Sequence, residues 1–241
     1  MKRLFVSVLA FLLAVTGTGS AFANSIGAPR GFASDLYASA MALYATDGNN
    51  VTHFLCTAEP FEQIAGGYHL VSAGHCVQDI PADVQFSVSD EMGGQRTPVK
   101  MLKAFEGNGL DFSEFELLTQ HKYFVMKLGN DNDLRIGDAV LDVNFSAGLA
   151  KQISLGLIAS EAVPASGQCH DFECVGDFLV QMYGTAGASG SAVVSEKTHK
   201  IIGIAIWQAG SSIGLGVEPI DRFYAFLAGP NQPHPSEDDQ Q

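Results

Sequence analysis

The segment SAVVSEKTHKIIGIAIW, residues 191–207, contains two short apolar runs on either side of a polar stretch. Ser191–Ser195 and Ile201–Trp207 have the length of β-strands and are rich in β-branched residues. Similar runs, separated by turn residues, recur at Met41–Ala45, Thr52–Thr57, Tyr68–Ser72, Val84–Val88, Tyr123–Leu128, Ala139–Val143, Gln152–Ser160 and Phe178–Tyr183. Helical patterning is limited to a turn at Gly74–Asp79 and a segment at Pro219–Leu227. These features predict an all-β sandwich or barrel.

Acidic residues dominate the charge of the 241-residue chain. It has 26 Asp and Glu residues against 13 Lys and Arg residues, which gives a formal net charge of −13. Phosphate binding requires clustered Lys and Arg side chains, and the sequence has no such cluster. Nucleic acid is therefore excluded as a partner, and the acidic surface is interpreted as a source of solubility.

The N-terminal residues have the organisation of a secretory signal peptide. Met1-Lys2-Arg3 is a basic start, residues 4–15 are mostly apolar, and Ala21-Phe22-Ala23 offers small residues to a signal peptidase. A membrane anchor, the alternative, requires about 20 apolar residues, more than this run provides. We expect residues 1–23 to be removed and the mature protein to be secreted or periplasmic, without a membrane segment. Residues 229–241 are predicted to form a disordered acidic tail.

Export makes disulfides the expected state of the four cysteines. Three pairings are possible, and the spacing favours Cys56–Cys76 with Cys169–Cys174. A zinc site is the alternative, but the sequence contains neither a CxxC nor an HExxH motif. We therefore predict two disulfides, no metal and no cofactor.

Two motifs carry candidate catalytic side chains. Gly187-Ala188-Ser189-Gly190-Ser191 permits a tight turn that exposes the Ser189 hydroxyl and directs backbone N–H groups at an oxyanion. In Leu70-Val71-Ser72-Ala73-Gly74-His75-Cys76, an apolar run ends at a histidine that the neighbouring cysteine can fix in place. By itself the first motif is also typical of a flexible loop, and the second of a histidine at a strand end.

A third motif, Gly107-Asn108-Gly109-Leu110-Asp111-Phe112, places an aspartate at the start of a strand-like run. If the apolar residues that follow bury Asp111, its carboxylate can orient a histidine; otherwise it simply begins a strand. The chain order His75, Asp111, Ser189 is one of the known orders of a catalytic triad, which makes the combination far more specific than its parts. An α/β-hydrolase would need a helix after the serine, whereas a strand-like run follows Ser189.

Over roughly residues 40–227 the sequence resembles the trypsin-like, chymotrypsin-fold serine proteases. Val71–Cys76 is similar to that family's Thr-Ala-Ala-His-Cys, and Gly187–Ser191 to its Gly-Asp-Ser-Gly-Gly. Ile202–Trp207 is similar to the strand that ends in Ser-Trp-Gly. The resemblance implies that the protein is a protease of this kind.

Two further stretches, Leu128–Asp138 and Gly214–Ile220, look closer to the bacterial Deg/high-temperature-requirement branch of the family. The resemblance implies two six-stranded antiparallel β-barrels, at about residues 38–138 and 139–228, with a short C-terminal helix. Together they would form one peptidase domain over residues 24–228. That branch usually carries PDZ domains, and we expect none here because only a short tail follows the helix.

The resemblance also implies roles for the candidate residues. His75, Asp111 and Ser189 would form the triad in the cleft between the barrels. The backbone N–H groups of Gly187 and Ser189 would form the oxyanion hole. Cys56–Cys76 would correspond to the family's histidine-loop disulfide, which tethers the catalytic histidine.

Three positions depart from the family pattern. Ala188 replaces the aspartate that pairs with a newly cut N-terminus in trypsin-like zymogens, so we expect activity without processing beyond signal removal. Ile206 stands where the family has a serine that supports the triad aspartate, so Asp111 should be held differently. Glu114 lies where the family is mostly apolar.

Four residues would line the substrate pocket: Tyr183, Ile206, Trp207 and Gln208. The resemblance places Tyr183 at the position that forms the pocket floor in the family, where an aspartate would favour cleavage after Lys or Arg, so we do not expect that specificity. Gln208 replaces a glycine that leaves the pocket wall open. These differences predict a constricted pocket for small or aliphatic side chains.

The expected function is therefore that of an exported serine endopeptidase that acts on a protein or peptide substrate. The alternative is a non-catalytic pseudoprotease or binding module of the same fold.

Overall fold

The computed structural model describes residues 31–81, 83–107, 109–130, 132, 134–163, 174–208 and 214–229. The predicted signal peptide, Cys169 and the predicted tail beyond Gly229 lie outside the described residues. In the described ranges, no helix is both long enough and apolar enough to cross a lipid bilayer.

The described strands form two closed antiparallel β-barrels of six strands each. The first barrel has the order β1-β2-β3-β6-β5-β4 and contains β1 (Met41–Thr46), β2 (Thr52–Ile64), β3 (Gly67–Ser72), β4 (Gln85–Ser89), β5 (Thr97–Gly107) and β6 (Leu110–Leu118). The second has the order β10-β11-β12-β9-β8-β7 and contains β7 (Ala139–Asn144), β8 (Gln152–Ser160), β9 (Phe178–Gln181), β10 (Ala192–Ser195), β11 (Ile201–Gln208) and β12 (Leu215–Pro219). Helix α1 (Phe32–Ser39) precedes the first barrel, and α2 (Ile220–Ala228) follows the second. The expected all-β, chymotrypsin-like architecture with a C-terminal helix is confirmed.

Helix α2 joins the two barrels through its apolar face. Its buried residues Ile220, Phe223 and Phe226 recur every three positions, which places them on one side of the helix. The Phe223 ring lies 5.0 Å from the Phe61 ring and 5.1 Å from the Phe112 ring, both in the first barrel. Burying each phenylalanine contributes about 2–3 kcal/mol. The helix that ends the second barrel therefore packs against β2 and β6 of the first.

One expected strand is absent. Tyr123–Leu128 was predicted to be a strand, but it runs between the barrels, and only Leu128 forms an isolated bridge, with Ile201. The N–H groups of Tyr123 and Phe124 donate to the hydroxyls of Tyr68 (3.1 Å) and Ser39 (2.9 Å). Side chains thus replace the ladder partners that an apolar extended segment normally requires, and the prediction was wrong for this reason.

Strand β5 and helix α1 have no counterpart among the expected elements, and β12 lies in a stretch that was quoted above only for its family resemblance. Strand β5 is largely exposed along its length and includes Lys100 and Lys103, so it shows no apolar run. Helix α1 is short and mixed in composition, and only Leu36 and Ser39 are buried. Both are held by their neighbours in the fold rather than by a local pattern.

The Cys56–Cys76 disulfide is present and joins β2 to the turn that follows β3. Replacing both cysteines with serine is expected to lower the free energy of unfolding by about 3 kcal/mol, because the bond closes a loop with a sequence separation of 20. Urea titration of the variant and the wild type would measure the loss. Adding dithiothreitol should shrink the difference between the two proteins, and equal midpoints without reductant would contradict the prediction.

Candidate active site

Asp111 binds His75 through both of its carboxylate oxygens. The backbone N–H of His75 donates to Oδ1 at 2.7 Å, and Nδ1 of the imidazole lies 2.6 Å from Oδ2. Asp111 is the second residue of β6 and is only 6% exposed, whereas His75 is half-buried. The two bonds define the plane of the carboxylate relative to the ring, as a group that orients a catalytic imidazole must do.

Gly74 makes this close approach possible. A Cβ atom at this position would lie 2.2 Å from the Phe105 carbonyl oxygen and 2.9 Å from Asp111 Oδ1. A larger residue would therefore push the chain away from β6 just before His75. The glycine in the Ala-Gly-His stretch has a steric function that the motif alone does not disclose.

Ser189 lies in the turn between β9 and β10 and is partly exposed. Gly187 and Gly190 have φ angles of +96° and +85°, a region that favours glycine. Gly190 is also required for packing, because a Cβ would lie 2.2 Å from both Ser72 Oγ and the Thr57 carbonyl oxygen. The turn therefore lies directly against the end of β3, three residues before His75.

Thr57 of the first barrel holds this turn of the second. Its N–H donates to the Ser189 carbonyl at 2.9 Å, and its hydroxyl donates to the Gly187 carbonyl at 2.8 Å. Among the described residues, neither Gly187 nor Ser189 uses its backbone N–H as a donor. An oxyanion hole requires two such N–H donors without other acceptors beside the nucleophile. Thr57 was not recognised from the sequence, because nothing local distinguishes it.

The predicted pocket residues occupy two places. Ile206, Trp207 and Gln208 end β11, and the Ser189 hydroxyl donates to the Ile206 carbonyl at 3.4 Å. Ile206 is buried and Gln208 exposed. Tyr183 follows β9 with 49% of its surface exposed, and its carbonyl accepts a hydrogen bond from Ser154. The structure thus brings β11 to the serine and places Tyr183 at the surface.

A cluster of ionisable residues, of which Glu218 and Asp177 are buried, lies behind Asp111. The N–H of Asp111 donates to Glu218 Oε2 at 2.8 Å, and Arg222 donates to Asp177 Oδ1 at 3.0 Å. The Trp207 indole N–H donates to the other oxygen of Asp177 at 2.8 Å. Burial raises the pKa of Glu218 to about 9 and that of Asp177 to about 6. This cluster was not predicted from the sequence, in which the available signal is a glutamate inside the apolar run Leu215–Pro219.

Two further buried acidic residues, Glu59 in β2 of the first barrel and Asp142 in β7 of the second, are close enough to interact electrostatically. Both side chains have 0% exposure, and within the described ranges neither carboxylate oxygen of Glu59 has a hydrogen-bond partner. Asp142 accepts a hydrogen bond from Asn144. Burial raises the pKa of Asp142 to about 6 and that of Glu59 well above its usual range.

Asp142→Asn is expected to stabilise the protein near neutral pH but not in acid. The folded-state pKa of about 6 lies above the ordinary value of 3.8, so the folded state retains a proton that the unfolded chain releases. Wild-type stability therefore falls as the pH rises from about 4 through 6 and remains lower above that range. The raised pKa corresponds to a cost on the order of 3 kcal/mol at neutral pH, which a neutral amide avoids.

Urea unfolding at about pH 4.5 and pH 7.5 measures this difference. Asp83→Asn, at an exposed position, is the matched control and should show no pH-dependent gain. A variant whose stability relative to the wild type is the same at both pH values would contradict the assignment of a raised pKa to Asp142.

The potential metal ligands that lie together among the described residues are not available to bind a metal. The group of potential ligands that it brings together is Cys56, His75 and Cys76. Both sulfur atoms of this group are in the disulfide, so they cannot act as thiolate ligands. His75 is also committed to Asp111 through Nδ1.

The sequence and the fold are both similar to those of known proteins. Residues 52–204 match the family described as "Trypsin-like peptidase domain". A search of curated proteins finds no match. Among solved structures, the chain is similar to an HtrA-type protease, AlgW, determined with a decapeptide, with 17% sequence identity and a TM-score of 0.59. The match covers 82% of this chain and 66% of that one.

Proposed function

Because the chain belongs to the trypsin-like peptidase domain family, we propose that it is a serine endopeptidase exported from the cytoplasm. The observation that carries the proposal is the paired contact of Asp111 with the backbone N–H and Nδ1 of His75. Such a contact fixes one tautomer and one orientation of the imidazole, which a proton acceptor for Ser189 requires. A histidine that merely ends a strand has no need of it.

Each residue then has a defined role. The Ser189 hydroxyl attacks the carbonyl carbon of the scissile peptide bond and transfers its proton to Nε2 of His75. Asp111 accepts the hydrogen bond from Nδ1 and stabilises the imidazolium that forms. The N–H groups of Gly187 and Ser189 bind the negative oxygen of the tetrahedral intermediate. His75 then protonates the leaving amine, and water releases the acyl group by the reverse sequence.

The proposed substrate is a protein or peptide that lies beside β11, because the Ser189 hydroxyl contacts the Ile206 carbonyl near the end of that strand. We propose a preference for a small or aliphatic residue before the cleaved bond, since Gln208 ends β11 at a position where the related proteases have a glycine that leaves the pocket wall open. The Cys56–Cys76 disulfide supports a secreted or periplasmic location, where the environment is oxidising.

A fluorophosphonate probe tests the proposal, because it reacts with an activated serine without knowledge of the substrate. The purified protein with its disulfides intact should be labelled at neutral pH, and Ser189→Ala should abolish labelling. Ser34→Ala, which removes an exposed serine on α1, should label like the wild type. A wild type that is not labelled would instead support a non-catalytic binding module.

A further inference from the structure

The segment that leads into Asp111 is held by the second barrel and by α2. The N–H of Asp111 donates to Glu218 Oε2 of β12 at 2.8 Å, over a sequence separation of 107 residues. The carbonyl of Gly109 accepts a hydrogen bond from Arg222 of α2 at 2.9 Å. One contact supplies an acceptor and the other a donor, so the backbone between Gly109 and Asp111 is fixed in position and orientation.

Glu218 is an unusual choice for this contact. It is 1% exposed in a strand whose residues are all buried, and its second oxygen, Oε1, has no hydrogen-bond partner among the described residues. Arg222 lies 3.9 Å from Oε1, and the buried carboxyl groups of Asp177 and Asp111 both interact electrostatically with Glu218. Burying such groups gives little or no net stability compared with apolar residues of similar size. We therefore look for the contribution of Glu218 in the position that it gives to the backbone of Asp111 rather than in stability.

The residue at position 206 explains why another support is needed. The resemblance places there a serine that supports the triad aspartate, whereas Ile206 is apolar and 7% exposed, and its side chain has no hydrogen to donate. Asp111 is instead held through its own backbone N–H, to which Glu218 provides the acceptor. Burial raises the pKa of Glu218 to about 9, so this acceptor is neutral near pH 7 and adds no negative charge beside Asp111.

We infer that Glu218 is a positioning residue, which holds the backbone of Asp111 so that its carboxylate remains in register with His75, and that Arg222 completes this hold at Gly109. The inference rests on the proposed function for its kinetic consequence. The bond between Nδ1 of His75 and Oδ2 of Asp111 is short, at 2.6 Å, so a small displacement of β6 weakens it. Displacement by about 1 Å can lower a catalytic rate about 100-fold.

Glu218→Met tests the inference, because methionine has a similar volume but replaces the carboxyl oxygen that accepts from the Asp111 N–H with a weakly accepting thioether. With a chromogenic peptide that has alanine or valine before the scissile bond, kcat should fall about 10- to 100-fold and KM should change less than about twofold. Glu218→Gln retains an acceptor and should recover kcat to within about threefold of the wild type. Glu196→Met, at an exposed position between β10 and β11, is the matched control and should behave as the wild type.

A proton NMR spectrum gives a readout that does not depend on catalysis. The Nδ1–H proton of His75, bonded to Asp111, should resonate far downfield in the wild type and in Glu218→Gln. It should move upfield or broaden in Glu218→Met, and His75→Ala identifies the signal. A general loss of packing would lower the melting temperature without a specific change in the signal of this proton. The melting temperature and the NMR signal therefore distinguish a packing defect from a displaced Asp111.

The outcomes distinguish the inference from the proposed function. Wild-type kcat and an unchanged downfield signal in Glu218→Met would overturn the inference, as would an equal loss of kcat in Glu218→Gln and Glu218→Met. A wild type without hydrolysis or probe labelling would overturn the proposed function, and the NMR comparison would still decide whether Glu218 positions Asp111. If Glu218→Met does not fold, Arg222→Lys should lower kcat with little change in KM. Wild-type kcat in Arg222→Lys would then overturn the inference.

Discussion

Ser189→Ala is expected to lower kcat by about 10⁶-fold, the largest effect of any single substitution in this protein. In the proposed mechanism, alanine removes the atom that would form the acyl-enzyme bond, and it leaves the rest of the turn in place. Gly187 and Gly190 keep their conformations, and the Thr57 contacts use the carbonyls of Gly187 and Ser189, which the substitution does not alter. The effect should therefore be on kcat, with KM and the melting temperature nearly unchanged.

Steady-state hydrolysis of a peptide substrate, with mass spectrometry to detect the acyl-enzyme, measures this effect. Residual activity above that of water is expected, because the backbone N–H groups of residues 187 and 189 remain in place. A loss of less than about tenfold would show that Ser189 is not the nucleophile. Ser34→Ala is the matched control.

Asp111→Asn is expected to lower kcat by about 10⁴-fold. The backbone N–H of His75 donates to Oδ1, so the amide oxygen of asparagine must take that place. The amide NH₂ group then faces Nδ1 of His75, which becomes an acceptor, and the ring proton moves to Nε2. An imidazole protonated at Nε2 cannot accept the proton of Ser189, so the variant holds the wrong tautomer in nearly the correct geometry.

The kinetic constants, together with a ¹⁵N NMR assignment of the His75 tautomer, test this prediction. The exposed variant Asp83→Asn should retain wild-type kcat and the wild-type tautomer. An Asp111→Asn protein with the proton still on Nδ1, or with kcat within tenfold of the wild type, would contradict the role of Asp111.

Local patterns predicted those parts of the fold that local residues determine. The apolar run at Ile201–Trp207 becomes β11 almost residue for residue, because a strand buried on both faces needs a continuous run of that length. The paired barrels followed from the family resemblance, and the Cys56–Cys76 bond lies where the cysteine spacing favoured it. Cys169–Cys174 remains a prediction, since Cys169 is outside the described residues.

The contacts that support the candidate site were not predictable in this way. Glu218 accepts a hydrogen bond from a backbone N–H that is 107 residues away in the chain. Every residue except proline has such an N–H group, so no residue type in the sequence identifies the donor. Thr57 likewise binds two carbonyl groups of a distant turn. The expected strand at Tyr123–Leu128 failed for a related reason, because the hydroxyls of Tyr68 and Ser39 took the place of ladder partners.

The position of Glu218 in the chain has a consequence for biosynthesis. Residues emerge from the ribosome in order, so His75 and Asp111 are made long before β12 and α2. Until those elements are made, the N–H of Asp111 lacks its acceptor and Phe112 lacks the Phe223 ring that packs against it. If Glu218 positions Asp111 as inferred, the histidine–aspartate pair reaches its final geometry only when β12 and α2 dock. A nascent chain that already contains every residue of the proposed triad would then still lack activity.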